Sequence, residues 1–180
     1  MDHRVAKTDL RSWAKSLPPP SLEESAAVVA GLSEWLEELE PAAVLVYVSM
    51  PGEIPAEDVV NHGAHHFYTT RTPTSGWLTV HDFNTPRERH RFGYEQPAEN
   101  APDVDPAVID VVLAPGLCFD RSGVRLGWGK GYYDNLFERM RSDVMAVGVT
   151  LERRVLAAVP SEPHDHRMDY LATEHGVRAV

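Results

Sequence analysis

Apolar runs of strand length recur along the chain and alternate with segments of helical periodicity. Residues 43–48, 109–113 and 144–149 are short, continuous and rich in apolar side chains, which is typical of strands buried on both faces of a sheet. Residues 22–39 instead place apolar side chains three and four positions apart, and a capping box that begins at Ser21 marks the start of this helix. The alternation predicts an α/β fold in which the strands are mainly parallel.

The remaining elements are predicted from shorter patterns. Helices are expected at 3–16, near 55–57, at 134–140 and at 151–159, and further strands at 66–71, 77–83 and 177–180. The first two of these strands are separated by the turn sequence Thr72–Gly76, so they are expected to form a hairpin. Because the sequence contains no linker and no repeat, the elements are predicted to form one domain, residues 1–180, with a three-layer α/β/α architecture.

The composition narrows the class of protein. A chain of 180 residues with 43% hydrophobic and 24% charged residues is typical of one globular domain. Its formal charge of −10 argues against a nucleic-acid partner, because a phosphate backbone binds to a basic face. The sequence has neither a signal-peptide pattern nor an apolar run of about 18 residues, so it predicts a cytoplasmic protein with no membrane role.

The cysteine and histidine residues give little support for nucleophilic or metal chemistry. Cys118 is the only cysteine, so no internal disulfide forms, and with apolar neighbours and no nearby base it is interpreted as a buried apolar residue. His62, His65 and His66 lie close in sequence but do not share one face, and no carboxylate or thiolate completes a ligand set. Structural or surface roles are therefore favoured over a metal site for these histidines.

A glycine-rich stretch after the 109–113 strand carries the most informative chemistry. Glycines occur at 116, 123, 127, 129 and 131, and such a stretch lets backbone N–H groups approach an anion closely, just ahead of a helix N-terminus. The spacing matches neither the P-loop nor the dinucleotide fingerprint, so ordinary turn chemistry is an equal alternative on spacing alone. Two cations within the stretch, Arg125 and Lys130, and the carboxylate of Asp134 just after it favour a phosphate site with magnesium.

Three other charged residues have both a structural and a functional interpretation. Lys7 and Arg11 are four residues apart and share one helix face, which on spacing alone favours a solvated surface stripe. Glu53 follows the 43–48 strand, where open α/β sheets present ligand-binding residues, but it is equally suited to capping the helix near 55–57. The pattern by itself leaves both alternatives open.

At residues 113–134, LAPGLCFDRSGVRLGWGKGYYD, the sequence closely resembles the signature of the 5-formyltetrahydrofolate cyclo-ligases, also called methenyltetrahydrofolate synthetases. Lys7–Arg11, Phe92–Pro97 and Pro163–Glu174 resemble further motifs of that family, so the likeness covers nearly the whole chain. It implies a NagB/RpiA/CoA-transferase-like fold and a ligase that forms a C–N bond. The implied reaction is the ATP- and Mg²⁺-dependent cyclisation of 5-formyltetrahydrofolate to 5,10-methenyltetrahydrofolate, with release of ADP and phosphate. The expected partners are ATP and the reduced folate, and the expected state is a monomer.

The resemblance also implies roles for individual residues. ATP binding is implied for Lys7, Arg11, Arg125, Gly127, Gly129, Lys130, Gly131, Tyr132 and Tyr133; folate binding for Met50, Glu53, Trp128 and Tyr132; and Mg²⁺ binding for Asp134 and Asp165. Among these, Lys130, Arg125 and Tyr132 are the implied catalytic residues.

Two alternative functions stay open. The segment 63–91 is shorter than the resemblance would lead one to expect, which motivates a degenerate relative that binds folate or nucleotide without turnover. A different activity on a similar architecture, such as that of a sugar-phosphate isomerase, would need an anion site but neither ATP nor magnesium. The pairs Asp134 with Asp165 and Lys7 with Arg11 argue against that second alternative.

Overall fold

A computed structural model describes residues 3–60, 62–91, 93–163 and 165–180 of the protein. The helices in these ranges are α1 (His3–Ser16), α2 (Leu22–Glu37) and α3 (Tyr132–Glu138). The strands are β1 (Ala43–Leu45), β2 (His66–Arg71), β3 (Thr79–Asp82), β4 (Arg87–Arg89), β5 (Glu95–Pro97), β6 (Val111–Pro115), β7 (Cys118–Asp120), β8 (Arg125–Leu126), β9 (Met145–Val149), β10 (Val155–Leu156), β11 (Tyr170–Thr173) and β12 (Gly176–Ala179). Single 3₁₀ turns occupy Ala56–Val59, Pro106–Val108 and Glu152–Arg154.

Within the described residues, one large sheet forms the centre of the molecule, with its strands in the order β12-β11-β9-β6-β1-β2-β3. The inner pairs, from β11 across to β2, are all parallel. Only the edge strands β3 and β12 pair antiparallel, each in a hairpin with its neighbour. The predicted α/β fold with a mainly parallel sheet is therefore confirmed, as is the hairpin formed by β2 and β3.

Both faces of the central strands are buried, because successive side chains point to opposite sides of a strand. Val44 of β1 packs in the cluster that contains Leu32 of α2, whereas its neighbour Leu45 packs in the cluster that contains Leu136 of α3. All five residues of β6 are buried, which explains why its sequence is a continuous apolar run. The predicted capping box of α2 is present, with the Ser21 hydroxyl accepting from the backbone N–H of Glu24.

Phe119 packs beside the carboxyl end of β6, where the glycine-rich stretch begins. Its side chain is fully buried, and a Cβ placed on Gly116 or on Gly148 would lie 2.6 or 2.4 Å from ring atoms of Phe119. A real Cβ atom does not approach a ring carbon so closely, so both positions need glycine for the ring to fit. This packing fixes the loop that follows β6 against β9.

The structure differs from the sequence-based prediction in five segments. Near 55–57, where a helix was expected, only the 3₁₀ turn Ala56–Val59 forms. The helix predicted at 151–159 is wrong, since this region forms the 3₁₀ turn Glu152–Arg154 and then β10, which pairs parallel with β7. The glycine-rich stretch is not one open loop, because β7 and β8 form a hairpin within it. The strand β11 and the two-stranded ribbon of β4 and β5 were not predicted.

Within the described part of the chain, no helix combines the length and the apolar character that crossing a membrane requires.

Candidate active site

A cavity of about 1270 Å³ lies where α1, the carboxyl ends of β1 and β2, the β4–β5 ribbon and the glycine-rich stretch meet. Every residue for which the sequence predicts a site role lines this cavity. They are Lys7, Arg11, Met50, Glu53, Arg125, Gly127, Trp128, Gly129, Lys130, Gly131, Tyr132, Tyr133, Asp134 and Asp165. The fold thus brings together side chains from segments that are more than 100 residues apart in the sequence.

Helix α1 reaches the cavity through two cations on one face. Nζ of Lys7 donates to Oδ2 of Asp165 at 2.8 Å and to Oε2 of Glu162 at 2.9 Å. Burial alone would lower the pKa of Lys7, but these bonds outweigh burial and the pKa is raised, so the side chain is a cation at neutral pH. Nε of Arg11 donates to the carbonyl oxygen of Gly127 at 3.0 Å. The structure therefore does not leave these cations as a solvated stripe.

Arg125 is the most buried cation of the site. Only 6% of its side chain is exposed, and Nη2 donates to Oδ1 of Asp134 at 2.9 Å. Its guanidinium carbon lies 5.3 Å from the centre of the Tyr133 ring, a cation–π contact. Nε of Arg125 is buried and has no hydrogen-bond partner among the described residues. Buried N–H groups are rarely left unpaired, so this atom is a donor that a bound anion would satisfy.

The loop between β8 and α3 is shaped by glycine. Gly129 and Gly131 have φ angles of +94° and +68°, in the left-handed region that other residues rarely adopt. A Cβ on Gly129 would also lie 3.3 Å from Cζ of Arg11, so the missing side chain lets α1 pack against the loop. Between these glycines, Lys130 is exposed and forms no ion pair with any residue that the structure describes. The loop therefore offers a cation and open backbone to the cavity.

Glu53 lines the cavity and is held by two N–H donors. Oε2 of Glu53 accepts the backbone N–H of Met50 at 2.9 Å, and Oε1 accepts the indole N–H of Trp128 at 3.1 Å. Burial raises the pKa of Glu53, and these two bonds only partly offset that effect. Because Glu53 binds Met50 and Trp128 rather than the turn at 56–59, the capping alternative is not what the structure shows. The Trp128 ring is 42% exposed, with Nζ of Lys15 5.2 Å from its centre.

The carboxylates of Asp134 and Asp165 both line the cavity and both lie next to a cation. No group of three or more metal-ligating side chains occurs among the described residues. Mg²⁺ in phosphoryl-transfer sites, however, is held by one or two carboxylates together with substrate phosphates and water. Two carboxylates in a cavity that also contains several cations fit that ligand pattern.

The structure adds cavity residues that sequence reasoning missed. Glu162 joins Asp165 in binding Lys7, and its distance of 155 positions from Lys7 gave no sequence signal. The ribbon of β4 and β5 supplies a whole wall, including Arg89, His90 and Tyr94. The short segment 63–91 therefore still contributes a wall. Residues 87–91 are all polar, so they show no alternation of apolar and polar side chains from which a strand could be predicted.

The remaining candidates have structural roles. Ring nitrogens of His65 lie within hydrogen-bond distance of Leu36 and Ala42 backbone atoms, and His66 pairs with Asp82 at 2.6 Å on the β2–β3 hairpin. Cys118 is fully buried, and burial raises its pKa to about 12. The interpretation of Cys118 as a buried apolar residue is confirmed.

Comparison with known proteins gives one consistent result. A family model described as the 5-formyltetrahydrofolate cyclo-ligase family matches residues 4–174. The 5-formyltetrahydrofolate cyclo-ligase of Saccharomyces cerevisiae is 39% identical over 75 residues, which are 38% of this chain and 36% of that protein. The probable 5-formyltetrahydrofolate cyclo-ligase of Caenorhabditis elegans is 24% identical over 197 aligned positions, covering 95% of this chain and 94% of that protein.

Solved structures give the same result at the level of the fold. The NMR structure of Aquifex aeolicus 5,10-methenyltetrahydrofolate synthetase superposes with a TM-score of 0.73 and 25% identity, covering 99% of this chain and 93% of that chain. The Mycoplasma pneumoniae 5,10-methenyltetrahydrofolate synthetase superposes with a TM-score of 0.71 at 15% identity, covering 97% and 99% of the two chains. The matches found by sequence are shorter. The aligned part covers 36% of the Saccharomyces cerevisiae protein and 37% of the 5-formyltetrahydrofolate cyclo-ligase of Mycolicibacterium smegmatis.

Proposed function

The chain belongs to the 5-formyltetrahydrofolate cyclo-ligase family, and from that membership we propose that it is an ATP- and Mg²⁺-dependent 5-formyltetrahydrofolate cyclo-ligase. The observation that carries the proposal is the single cavity lined by all the residues with a predicted role in ATP, folate or Mg²⁺ binding. Its volume of about 1270 Å³ exceeds the range of roughly 300 to 1,000 Å³ that is usual for one small ligand, and so suits two substrates.

The reaction needs positioning and charge neutralisation more than acid–base chemistry. The oxygen of the formyl group that N5 carries attacks the γ-phosphorus of ATP, and the bond between that phosphorus and the β,γ-bridging oxygen breaks to release ADP. The folate N10 then attacks the formyl carbon, loses its proton, and the C–O bond breaks to release phosphate and leave the methenyl bridge. Both steps spread negative charge over phosphate oxygens, so the protein accelerates them mainly by fixing the reactants and placing cations beside those oxygens.

The cations and the glycine-rich loop surround the proposed phosphate position. Arg125 supplies a buried guanidinium whose Nε has no partner among the described residues, and Lys130 supplies an exposed ammonium group from the loop. Backbone N–H groups at Gly127, Gly129 and Gly131 line the same part of the cavity. Lys7 and Arg11 complete the set. Arg11 bonds α1 to the loop at Gly127, and Lys7 bonds α1 to Asp165. Tyr132 lines the cavity beside this loop.

Asp134 and Asp165 are the residues that would hold Mg²⁺. When bound, the ion would supply positive charge that neutralises the phosphate oxygens. In this chain, Arg125 and Lys7 orient the two carboxylates through hydrogen bonds. Each aspartate therefore has a fixed position before any substrate binds.

Glu53 is the proposed contact for the pterin ring, together with Met50 and Trp128. Glu53 already accepts N–H groups from Met50 and Trp128, and a pterin offers N–H donors of the same kind. The raised pKa of Glu53 suits a carboxyl that exchanges hydrogen bonds with a ring rather than one that pairs with a cation.

Several finer statements belong to the same proposal. We expect the layering to be three-layer α/β/α of the NagB/RpiA/CoA-transferase kind, since α2 and α3 pack in clusters on opposite faces of the sheet. We also expect one domain over residues 1–180, a monomer and a cytoplasmic location, with no nucleic acid and no membrane as partner.

The activity is tested by mixing the protein with 5-formyltetrahydrofolate, ATP and Mg²⁺ and following the absorbance of the methenyl product. Lys130→Ala should lower kcat about 100-fold or more, because removing one preorganised charge contact to the transition state typically has that effect. Arg121→Ala is the matched control, as Arg121 is also an exposed cation of the glycine-rich stretch but does not line the cavity. Product that forms without ATP, or equal rates for Lys130→Ala and the wild type, would refute the proposal. ATP binding without product would point instead to the degenerate relative.

A further inference from the structure

The β4–β5 ribbon forms a wall of the cavity to which no role has been assigned. Arg89 of β4, together with His90, Arg91 and Tyr94 from between β4 and β5, lines the cavity. The ATP phosphates are accounted for by the glycine-rich loop and the cations near it. A cavity of about 1270 Å³ that takes two substrates leaves this second wall to the folate.

Arg71 fastens the ribbon to the main sheet. Its side chain is only 10% exposed, and Nη1 donates both to Oε1 of Glu88 on β4 and to the carbonyl oxygen of Pro97 on β5. Gln96 adds a bond from Nε2 to the same Glu88 oxygen and accepts the backbone N–H of Thr72 through Oε1. Both strands of the ribbon are thus bonded to β2 or to the residue that follows it.

The turn of the ribbon is held as well. The backbone N–H of His90 donates to the carbonyl of Tyr94 at 2.8 Å, and the two rings stack with their centres 4.5 Å apart. The Tyr94 hydroxyl donates to Oγ1 of Thr72 at 3.3 Å. Because these contacts hold His90 beside Tyr94, the adjacent Arg89 binds a ligand with little loss of backbone entropy.

Arg89 is a cation on this wall that is not paired with any described residue of the protein. Arg71 is engaged by Glu88, whereas Arg89 is exposed and forms no hydrogen bond or ion pair with any residue in the described ranges. Glu95 lies opposite Arg89 in the ribbon register, yet the two side chains form no ion pair. Arg91 lies two residues further along and lines the same cavity. A free guanidinium facing a ligand cavity is the group that pairs best with a carboxylate.

We infer that Arg89, together with Arg91, binds the glutamate carboxylates of the folate substrate. This inference rests on the proposed function for the identity of the substrate. A reduced folate carries its glutamate at the end opposite the reacting ring, so a ring near Glu53 and a tail at the ribbon span the cavity. The ribbon then sets the affinity for the tail and takes no part in the chemistry at N5 and N10.

The test compares two substrates that differ only at the tail. One is 5-formyltetrahydrofolate, and the other is 5-formyltetrahydropteroyl amide, in which a primary amide replaces the glutamate. In the Arg89→Gln, Arg91→Gln double variant, KM for 5-formyltetrahydrofolate should rise about 10- to 100-fold, as expected for lost hydrogen bonds between charged groups. KM for the amide analogue, KM for ATP and kcat should stay within about twofold of the wild type. Arg121→Gln removes an exposed arginine outside the cavity and controls for net charge.

Equal increases in KM for both substrates, or no increase for either, would overturn the inference. Failure of the proposed function gives a different result, because the wild type would then form no product at all. In that case calorimetric titration of the wild type and the double variant with the same two compounds decides the question. Weaker binding of 5-formyltetrahydrofolate alone by the variant supports the inference, and no binding of it by the wild type overturns it.

Discussion

Replacing Lys7 with methionine should destabilise the protein measurably, because Lys7 forms ion pairs with two carboxylates, those of Asp165 and Glu162. The side chains of Lys7 and Asp165 are only 11% and 12% exposed, whereas that of Glu162 is 37% exposed. Removing one partner of a buried ion pair costs about 3 to 5 kcal/mol, and an exposed pair contributes about 0 to 1 kcal/mol. Asp165 keeps the backbone N–H of Glu162 at 2.7 Å, which offsets part of the loss. We therefore expect the free energy of unfolding to fall by about 2 to 3 kcal/mol.

Urea unfolding followed by circular dichroism measures this loss. For a chain of this size, 1 kcal/mol corresponds to about 2 to 4 °C in Tm, so Lys7→Met should melt about 5 to 10 °C below the wild type. The pKa of Lys7 is raised above its ordinary value of 10.5, so its stabilising contribution is complete below that pH and is lost only as pH rises past the raised value. Lys7 therefore does not titrate between pH 6 and 9, so its titration should not change the stability difference between Lys7→Met and the wild type in that range.

Two further variants test whether the loss of stability comes from the ion pair between Lys7 and Asp165. Lys15→Met makes the same change on the same helix, but Lys15 is exposed and contacts only the Trp128 ring among the described residues, so stability should change by no more than about 1 kcal/mol. Asp165→Asn in the Lys7→Met background should cost less than Asp165→Asn alone, because the cation that pairs with the carboxylate is already gone. If Lys7→Met unfolds with the wild-type free energy, or if the two substitutions add without coupling, the ion pair does not stabilise the fold as argued.

Two further predictions concern Glu53 and Gly148. Because burial raises the pKa of Glu53, the folded state binds its proton more tightly, so wild-type stability should fall relative to Glu53→Gln as pH rises from 4 to 8. Urea unfolding of both proteins across that range checks this, and parallel pH profiles would contradict it. Gly148→Ala places a Cβ 2.4 Å from the Phe119 ring and should cost about 1 to 3 kcal/mol in thermal or urea unfolding. The same substitution should cost less in a Phe119→Leu background, and an equal cost in both would show that the ring contact is not the cause.

The sequence predicted those parts of the fold in which one physical signal dominates. The strand β6 is apolar throughout because both its faces are buried, so its five residues were recognisable without any partner. The ribbon was missed because β4 is made of Arg87, Glu88 and Arg89, whose pairing with β5 depends on Arg71, 17 residues away from Glu88. Residues 151–159 have apolar positions that imitate a helix, but their bonds go to β7 instead.

The residues that line the cavity were predicted more completely than the secondary structure, and for a different reason. The list of cavity residues came from the resemblance at 113–134, from short motifs near both ends and from the residues that follow the 43–48 strand, and all of them line one cavity. What the sequence could not indicate was how they pair. Lys7 was expected beside phosphate and Asp165 beside magnesium, yet in the structure the two bind each other across 158 positions. Such a contact follows from the folded topology and leaves no mark in local spacing.

That contact has a consequence for the order of events during synthesis. At a translation rate of roughly 5 to 20 residues per second, helix α1 is made about 10 to 30 s before Asp165, its partner 158 positions later, is added. Through that interval, Lys7 faces no carboxylate at this position, and Arg11 gains the carbonyl of Gly127 only near the end of it. The nascent chain can build β1, β2 and β6 early, but the end of the cavity beside α1 closes last, once both terminal segments have met.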